Sequence, residues 1–182
     1  MMGADRLDSR SRVLPGLPAH GPMYVPFPEG NHSEGYVVEF LPESDKAWVG
    51  NFKRGLSKFS CVVNHPDEID FIVISGGEVY VVDPYQRKLV DTFGGGITAV
   101  FAISEMKLTA FQGQTYFYAY GPNGRLWMSD RVTLDGMRNV RQDGKKIVGE
   151  GWNVPDSWHA FKIDLISGKV EEGAIEFRAE HP

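Results

Sequence analysis

The sequence contains a single cysteine, Cys61, among 182 residues. One cysteine excludes an intramolecular disulfide and a metal site built from several thiolates. Cys61 lies in the apolar run 59–63, which is typical of a strand, so we predict a small buried core residue rather than a catalytic thiol. No apolar run reaches the roughly 20 residues that a membrane-spanning helix needs.

Basic residues are also few. Lys and Arg number 19 against 24 Asp and Glu, which gives a net charge of −5. A weakly acidic chain without a basic block lacks a surface that neutralises phosphates, so we expect neither nucleic acid nor a membrane as a partner. Residues 1–20 hold no apolar core of the kind that a secretory signal requires, which predicts a cytoplasmic location. Their Ser, Pro, Gly and Arg content predicts a disordered arm ahead of one domain over 21–182.

Helical patterning is absent too. No window of a dozen residues carries an apolar stripe with the period of about 3.6 residues that marks a helix. From Tyr36 onward, short runs of β-forming residues alternate with turns that contain Gly, Pro, Asn or Asp. The pattern predicts an all-β fold.

One hairpin pattern occurs four times. An apolar strand is followed by a polar turn with Pro or Gly, and then by a return strand that begins with Lys or Arg. The copies begin at Tyr36, Val79, Tyr116 and Ala160, at intervals of 43, 37 and 44 residues. Such intervals match the roughly 40–50 residues of one four-strand propeller blade.

Two further strands are predicted ahead of each of the last three hairpins, at 58–63 and 69–75, at 97–103 and 107–112, and at 137–141 and 146–151. The sequence therefore predicts repeated antiparallel four-strand meanders, partial or propeller-like, with three complete units and a first unit that is cut short. Strands near the N-terminus complete that unit, or the meanders form an open fragment, a β-sandwich or a barrel. An open arrangement exposes sheet edges, which predicts a protein partner or a homo-oligomer.

The chain resembles the β-meander blades of propeller proteins, in which a strand ending in Asp precedes a return such as Gly-Lys-Val or Arg-Lys-Leu. The resemblance covers about residues 36–175 and is architectural. Residues 135–136, 149–152 and 163–165 are also similar to the tail of small uncharacterised bacterial proteins. No characterised family, and so no activity, follows from either resemblance.

The segment 149–159 is the most suggestive candidate for a site. It places Trp152, Asp156, Trp158 and His159 around one predicted loop, and we add Trp127 as a third tryptophan that could contact a ligand. Aromatic and polar side chains on a loop over a rigid scaffold make a contact surface. The structural alternative is that Trp152 and Trp158 cover adjacent strands as a cross-strand pair.

Other motifs indicate structure rather than chemistry. His65-Pro66-Asp67 resembles the tripeptide of J-domain cochaperones, but its flanks are typical of strands, which predicts a turn in which Asp67 caps its own backbone. Gly94-Gly95-Gly96 is followed by a strand rather than a helix, so we predict a connection between repeats instead of a phosphate loop. The five histidines fall singly. We therefore predict no catalytic residue, no metal and no cofactor.

These observations favour a non-catalytic binding or protein-interaction module. In its most concrete form this is a small bacterial protein of the toxin-neutralising immunity type, whose acidity steers it to a basic partner. The alternative is a small enzyme or carbohydrate-binding domain, with Trp127, Trp152 and Trp158 stacking on a sugar ring where the repeats meet. A third hypothesis is a subunit whose missing repeats come from another chain.

Overall fold

The computed structural model describes residues 10–21, 23–43, 45–154, 157–173 and 175. Its regular structure is nearly all β, which confirms the predicted fold class. The chain divides into two compact units, Met1–Ile97 and Thr98–Pro182, where the sequence predicted one domain over 21–182.

The first unit has eight strands in its described residues. They are β1 (Ser11–Leu14), β2 (Val25–Phe27), β3 (Tyr36–Phe40), β4 (Trp48–Phe52), β5 (Cys61–Asn64), β6 (Phe71–Ser75), β7 (Glu78–Asp83) and β8 (Lys88–Gly94).

The second unit has eight more strands in its described residues and one turn of 3-10 helix, Ser104–Met106. The strands are β9 (Ala99–Ile103), β10 (Leu108–Gln112), β11 (Phe117–Gly121), β12 (Gly124–Met128), β13 (Met137–Asp143), β14 (Lys146–Asn153), β15 (Ser157–Asp164) and β16 (Val170–Glu172). Within the part of the chain that the structure describes, no helix has the length and apolar character needed to cross a membrane.

The strands form four four-stranded sheets in the described ranges. Three are antiparallel meanders in chain order, β5 to β8, β9 to β12 and β13 to β16, and these are the three complete units that the hairpin repeat predicted. The fourth has the order β1-β3-β4-β2, with β2 parallel to β4. Strands near the N-terminus therefore complete the first repeat, which was one of the alternatives. The propeller-like arrangement of the sheets stays a prediction.

Strand β1 lies inside the segment that the sequence assigned to a disordered arm. It pairs with β3 in a register that runs from Ser11 opposite Phe40 to Leu14 opposite Val37. The Arg12 guanidinium also lies 2.6 Å from the Glu39 carboxylate. The sequence did not predict this strand, because its segment has a polar composition and half of its residues face solvent. Its pairing partner, β3, is also more than 20 residues away along the chain.

Aromatic side chains dominate the core of the first unit. Phe40 stacks on Trp48 with ring centroids 4.5 Å apart, and Phe27 stacks on Phe52 at 4.8 Å. The Trp48 indole N–H donates to Pro84 O at 2.8 Å, so its polar atom is satisfied inside the core. Cys61 is half-buried rather than buried as predicted, since β5 is an edge strand of its sheet.

The core of the second unit lies between its two sheets. Most of its buried members come from β9 to β11 on one side and from β14 to β16 on the other, with Val132 and Leu165 added from connecting segments. Phe117 meets Phe161 with ring centroids 5.6 Å apart. The alternation of side chains along a strand explains which residues of β15 enter this core. Phe161 and Ile163 share one buried face of β15, while Lys162 between them faces solvent.

Glycines mark the connection after β8. Gly94 and Gly95 adopt φ values of 95° and 101°, which residues with a side chain rarely do. The N–H groups of Gly95 and Ile97 both donate to Gly77 O, at 2.9 and 3.1 Å. Backbone donors that a phosphate would need are therefore already used, as the prediction of a connecting segment requires.

Candidate functional site

Two of the predicted site residues face each other on one hairpin. Trp152 on β14 and Trp158 on β15 are direct partners in the strand register. Cross-strand neighbours of this kind lie about 4.5–5.5 Å apart and stabilise the pairing of the strands. The Trp158 side chain nonetheless remains 38% exposed, which is high for a tryptophan.

An arginine fixes the exposed indole. The Arg138 guanidinium carbon lies 4.2 Å from the centroid of the Trp158 ring, within the range of a cation–π contact. Glu150 holds that guanidinium, with Glu150 Oε2 3.1 Å from Arg138 Nε and 2.6 Å from Asn139 Nδ2. The hydrogen bonds from Arg138 and Asn139 lower the pKa of the Glu150 carboxyl, so it stays ionised at neutral pH.

We call this set the Trp158 surface, defined by Arg138, Glu150, Trp152 and Trp158. Trp152 and Trp158 were predicted, whereas Arg138 and Glu150 were not singled out. Arg138 and Glu150 come together because the register of β13 on β14 is irregular between Arg138 and Arg141, where Asn139 has a φ of 54°. This irregularity changes which side chains of β13 face β14. A simple alternation pattern cannot locate such a bulge.

His159 lies on the opposite face of β15 from Trp158, because neighbouring residues of a strand alternate. Its Nε2 is 2.7 Å from Ser157 Oγ. The ring borders an open groove of about 480 Å³, whose lining residues are Leu134, Asn153, Val154, His159, Ala160, Glu172, Gly173 and Ile175. The groove combines apolar walls with a few polar groups, as ligand sites do.

The Ser157–His159 pair has the spacing of a nucleophile and its base, but acyl transfer also needs a group that orients the imidazole. Within the described ranges, Ser157 is the one hydrogen-bond partner of the His159 imidazole. We therefore assign the pair no catalytic step, and interpret His159 as one of the polar groups that line the groove.

The remaining predicted residues lie elsewhere. Trp127 on β12 donates its indole N–H to Leu165 O at 3.0 Å and packs against the core of the second unit. Its ring lies directly over Gly168, where an added Cβ would come within 2.5 Å of it. Asp156 lies outside the described residues. The structure thus brings Trp152, Trp158 and His159 onto one hairpin and uses Trp127 to cover the turn between β15 and β16.

The turn at His65–Asp70 gathers a second group of polar side chains. Asp67 Oδ1 accepts the backbone N–H groups of Ile69 and Asp70 at 2.8 and 3.0 Å, which confirms the predicted cap. His65, Asp67 and Asp70 each bring one potential ligand atom within 4.8 Å of the others. Since Asp67 is already engaged by the turn, we interpret the cluster as a turn cap and assign no ion to it.

Comparison with known proteins adds no relative. A scan against protein-family models and a search of curated proteins both find no match to the chain. The hypotheses about its function therefore depend on the geometry of its own residues.

Proposed function

We propose that the chain is a non-catalytic binding module whose partner is a protein, and that the Trp158 surface is the contact. The observation that carries the proposal is the exposed indole of Trp158, which Arg138 holds from one side while Glu150 holds Arg138. Tryptophan and arginine dominate the energetic centres of protein interfaces. A side chain that is already ordered loses little conformational entropy when a partner covers it.

The partner that fits is a basic protein. The chain carries a net charge of −5, which accelerates encounter with a positively charged surface. Sequestration of a basic toxin, in the manner of bacterial immunity proteins, is the concrete form of this proposal. A cytoplasmic location belongs to it, because a chain with one cysteine depends on no oxidising compartment.

Trp158→Ala is expected to abolish partner capture while leaving the fold intact, because truncating a central interface tryptophan costs about 2–4 kcal/mol of binding free energy. The measurement is affinity capture with a tagged full-length chain, followed by titration of the identified partner by calorimetry. Tyr85→Ala is the matched control, since Tyr85 is also 38% exposed but belongs to the first unit.

Loss of capture with Trp158→Ala and retention with Tyr85→Ala supports the proposal. Equal affinity of the wild type and Trp158→Ala for the captured partner contradicts the assignment of the surface. Absence of any captured partner from cells that express the chain naturally contradicts the interaction module itself.

A sheet edge provides the route to a homo-oligomer. Strand β12 is the edge of its sheet, and its Leu126 and Met128 are 54% and 60% exposed. We propose that two copies pair through β12, because exposed apolar edge strands favour edge-to-edge association.

The double substitution Leu126→Lys and Met128→Lys is expected to convert a dimer into a monomer, since charged side chains on an edge strand oppose its pairing with another strand. Light scattering coupled to size-exclusion chromatography measures the mass. Val90→Lys on β8 is the control, because Val90 is also 54% exposed on an edge strand. A wild-type chain that is monomeric at every concentration tested, or a double variant that stays dimeric, contradicts pairing through β12.

The second candidate is a carbohydrate-binding domain. The placement of Trp152 and Trp158 beside the polar groups of Arg138 and Glu150 favours it, because sugar rings stack on aromatic faces that have hydrogen-bonding neighbours. Titration with neutral oligosaccharides, followed by NMR of the indole N–H signals, distinguishes the candidates. Perturbation of Trp152 and Trp158 by a sugar, and not by any captured protein, favours the carbohydrate-binding domain.

A further inference from the structure

The turn between β5 and β6 contains two carboxylates with opposite electrostatic roles. Asp67 accepts two backbone hydrogens, and its Oδ1 also lies 2.8 Å from Nδ1 of the buried His65 imidazole, which is 4% exposed. Asp70 is half-buried, lies beside Asp67 and donates its own backbone N–H to that carboxylate. Ionisation of Asp67 therefore strengthens the turn, whereas ionisation of Asp70 places a second negative charge in the same confined space.

The geometry around His65 also allows two hydrogen-bond patterns. Nδ1 is 2.8 Å from Asp67 Oδ1, which suits an Nδ1–H that donates to the carboxylate. The same atom is 3.2 Å from the Asp67 backbone nitrogen, which suits an Nδ1 without hydrogen that accepts the backbone N–H. One atom of the His65 ring thus contacts both the carboxylate and the backbone of Asp67.

We propose that this turn is a pH-sensitive element, in which Asp70 takes up a proton between neutral and mildly acidic pH and the uptake stabilises the first unit. Among the described residues, the groups whose charges act on Asp70 are Asp67 and His65 in the turn and Asp83 at the end of β7. Two of these three are carboxylates, so the surroundings disfavour a further negative charge.

The electrostatic surroundings of Asp70 favour its protonated form. Burial, and then the Asp67 and Asp83 charges, raise the pKa of Asp70 from 3.8 to about 6, while His65 opposes the rise. A raised pKa in the folded state means that the stabilisation is complete below the unfolded value of about 4 and is lost as pH rises through 6. For Asp67, burial is outweighed by the hydrogen bonds from Ile69 and Asp70, which lower its pKa. Its stabilisation persists above pH 4 and is lost only at lower pH, so the turn favours the folded state most near pH 4 and progressively less as pH rises to 6.

Asp70→Asn removes the charge and keeps the size of the side chain. We expect the full-length variant to melt about 5 °C higher than the wild type at pH 8, and the difference to begin to shrink as pH falls through 6 and to vanish near pH 4. Glu29→Gln is the control, because Glu29 is an exposed carboxylate of the same unit. We expect the melting temperature of the Glu29→Gln chain to equal that of the wild type at every pH. Hydrogen exchange of the β6 amides locates the effect in the first unit.

Titration of the Asp70 carboxyl carbon by NMR in the wild-type chain provides a test that needs no variant. A midpoint near pH 6 supports the proposal. A midpoint below 5, or an Asp70→Asn chain that melts below the wild type at pH 8, overturns it.

Discussion

Gly77→Ala is expected to destabilise the first unit by about 2–5 kcal/mol, from the sum of a left-handed backbone and steric overpacking. Gly77 adopts a φ of 82° between β6 and β7, a region that alanine enters only at a cost. An added Cβ would lie 2.6 Å from Ser57 Oγ and 2.8 Å from Ile97 N. Moving these atoms away from the added Cβ would break two hydrogen bonds. One is donated by Ile97 N–H to Gly77 O, and the other by the Ser57 hydroxyl to Ile97 O at 2.6 Å.

Gly30→Ala separates the two costs. Gly30 has a φ of 80° in the same unit, but nothing lies within 4 Å of the position where its Cβ would be. We expect Gly30→Ala to cost only the backbone part, about 1–2 kcal/mol. Urea unfolding followed by circular dichroism measures both variants. Equal losses in the two variants would show that the junction around Gly77 is not closely packed.

Much of the sheet structure can be predicted from the sequence, because the meanders are local. A strand, a turn rich in Gly or Asp and a return strand are adjacent in the chain. The hairpins β7–β8 and β11–β12 can therefore be predicted from alternating apolar residues and the turn residues between them. The first sheet is different. β1 and β2 are short, largely polar or interrupted by Pro26, and pair with strands that follow much later. Nothing local distinguishes them from a loop.

The candidate site was predictable in its aromatic part only. The spacing of Trp152 and Trp158 around one turn makes them cross-strand neighbours in any antiparallel hairpin centred between them. Which face they occupy, and what covers them, depends on the bulge in β13 that brings Arg138 over Trp158. The role of Trp127 depends on the distant turn at Leu165–Gly168, which its ring covers. Exposure of an aromatic residue is a tertiary property, and local patterns do not contain it.

Gly151→Ala is expected to destabilise the second unit by about 1–3 kcal/mol and to reshape the groove beside His159. Gly151 is buried on β14 opposite His159, and an added Cβ would collide with Val132 O and approach Thr133 Cβ to 2.8 Å. Both contacts belong to the segment that crosses β14, where Thr133 Oγ1 lies 2.9 Å from Trp152 O and Leu134 N–H donates to Asn153 Oδ1 at 3.0 Å.

Gly149→Ala is the matched control for this prediction. It lies two residues away on the same face of β14, but its added Cβ would meet the tip of the Phe161 ring at 2.7 Å and a Val140 methyl at 3.1 Å. Side-chain ends can move, whereas a backbone carbonyl carries its whole segment with it. We expect Gly151→Ala to be the more destabilising of the two in urea unfolding, and to shift the NMR signals of Leu134 and His159, which Gly149→Ala leaves in place. Unperturbed Leu134 and His159 signals in a folded Gly151→Ala chain would contradict the packing of this segment against β14.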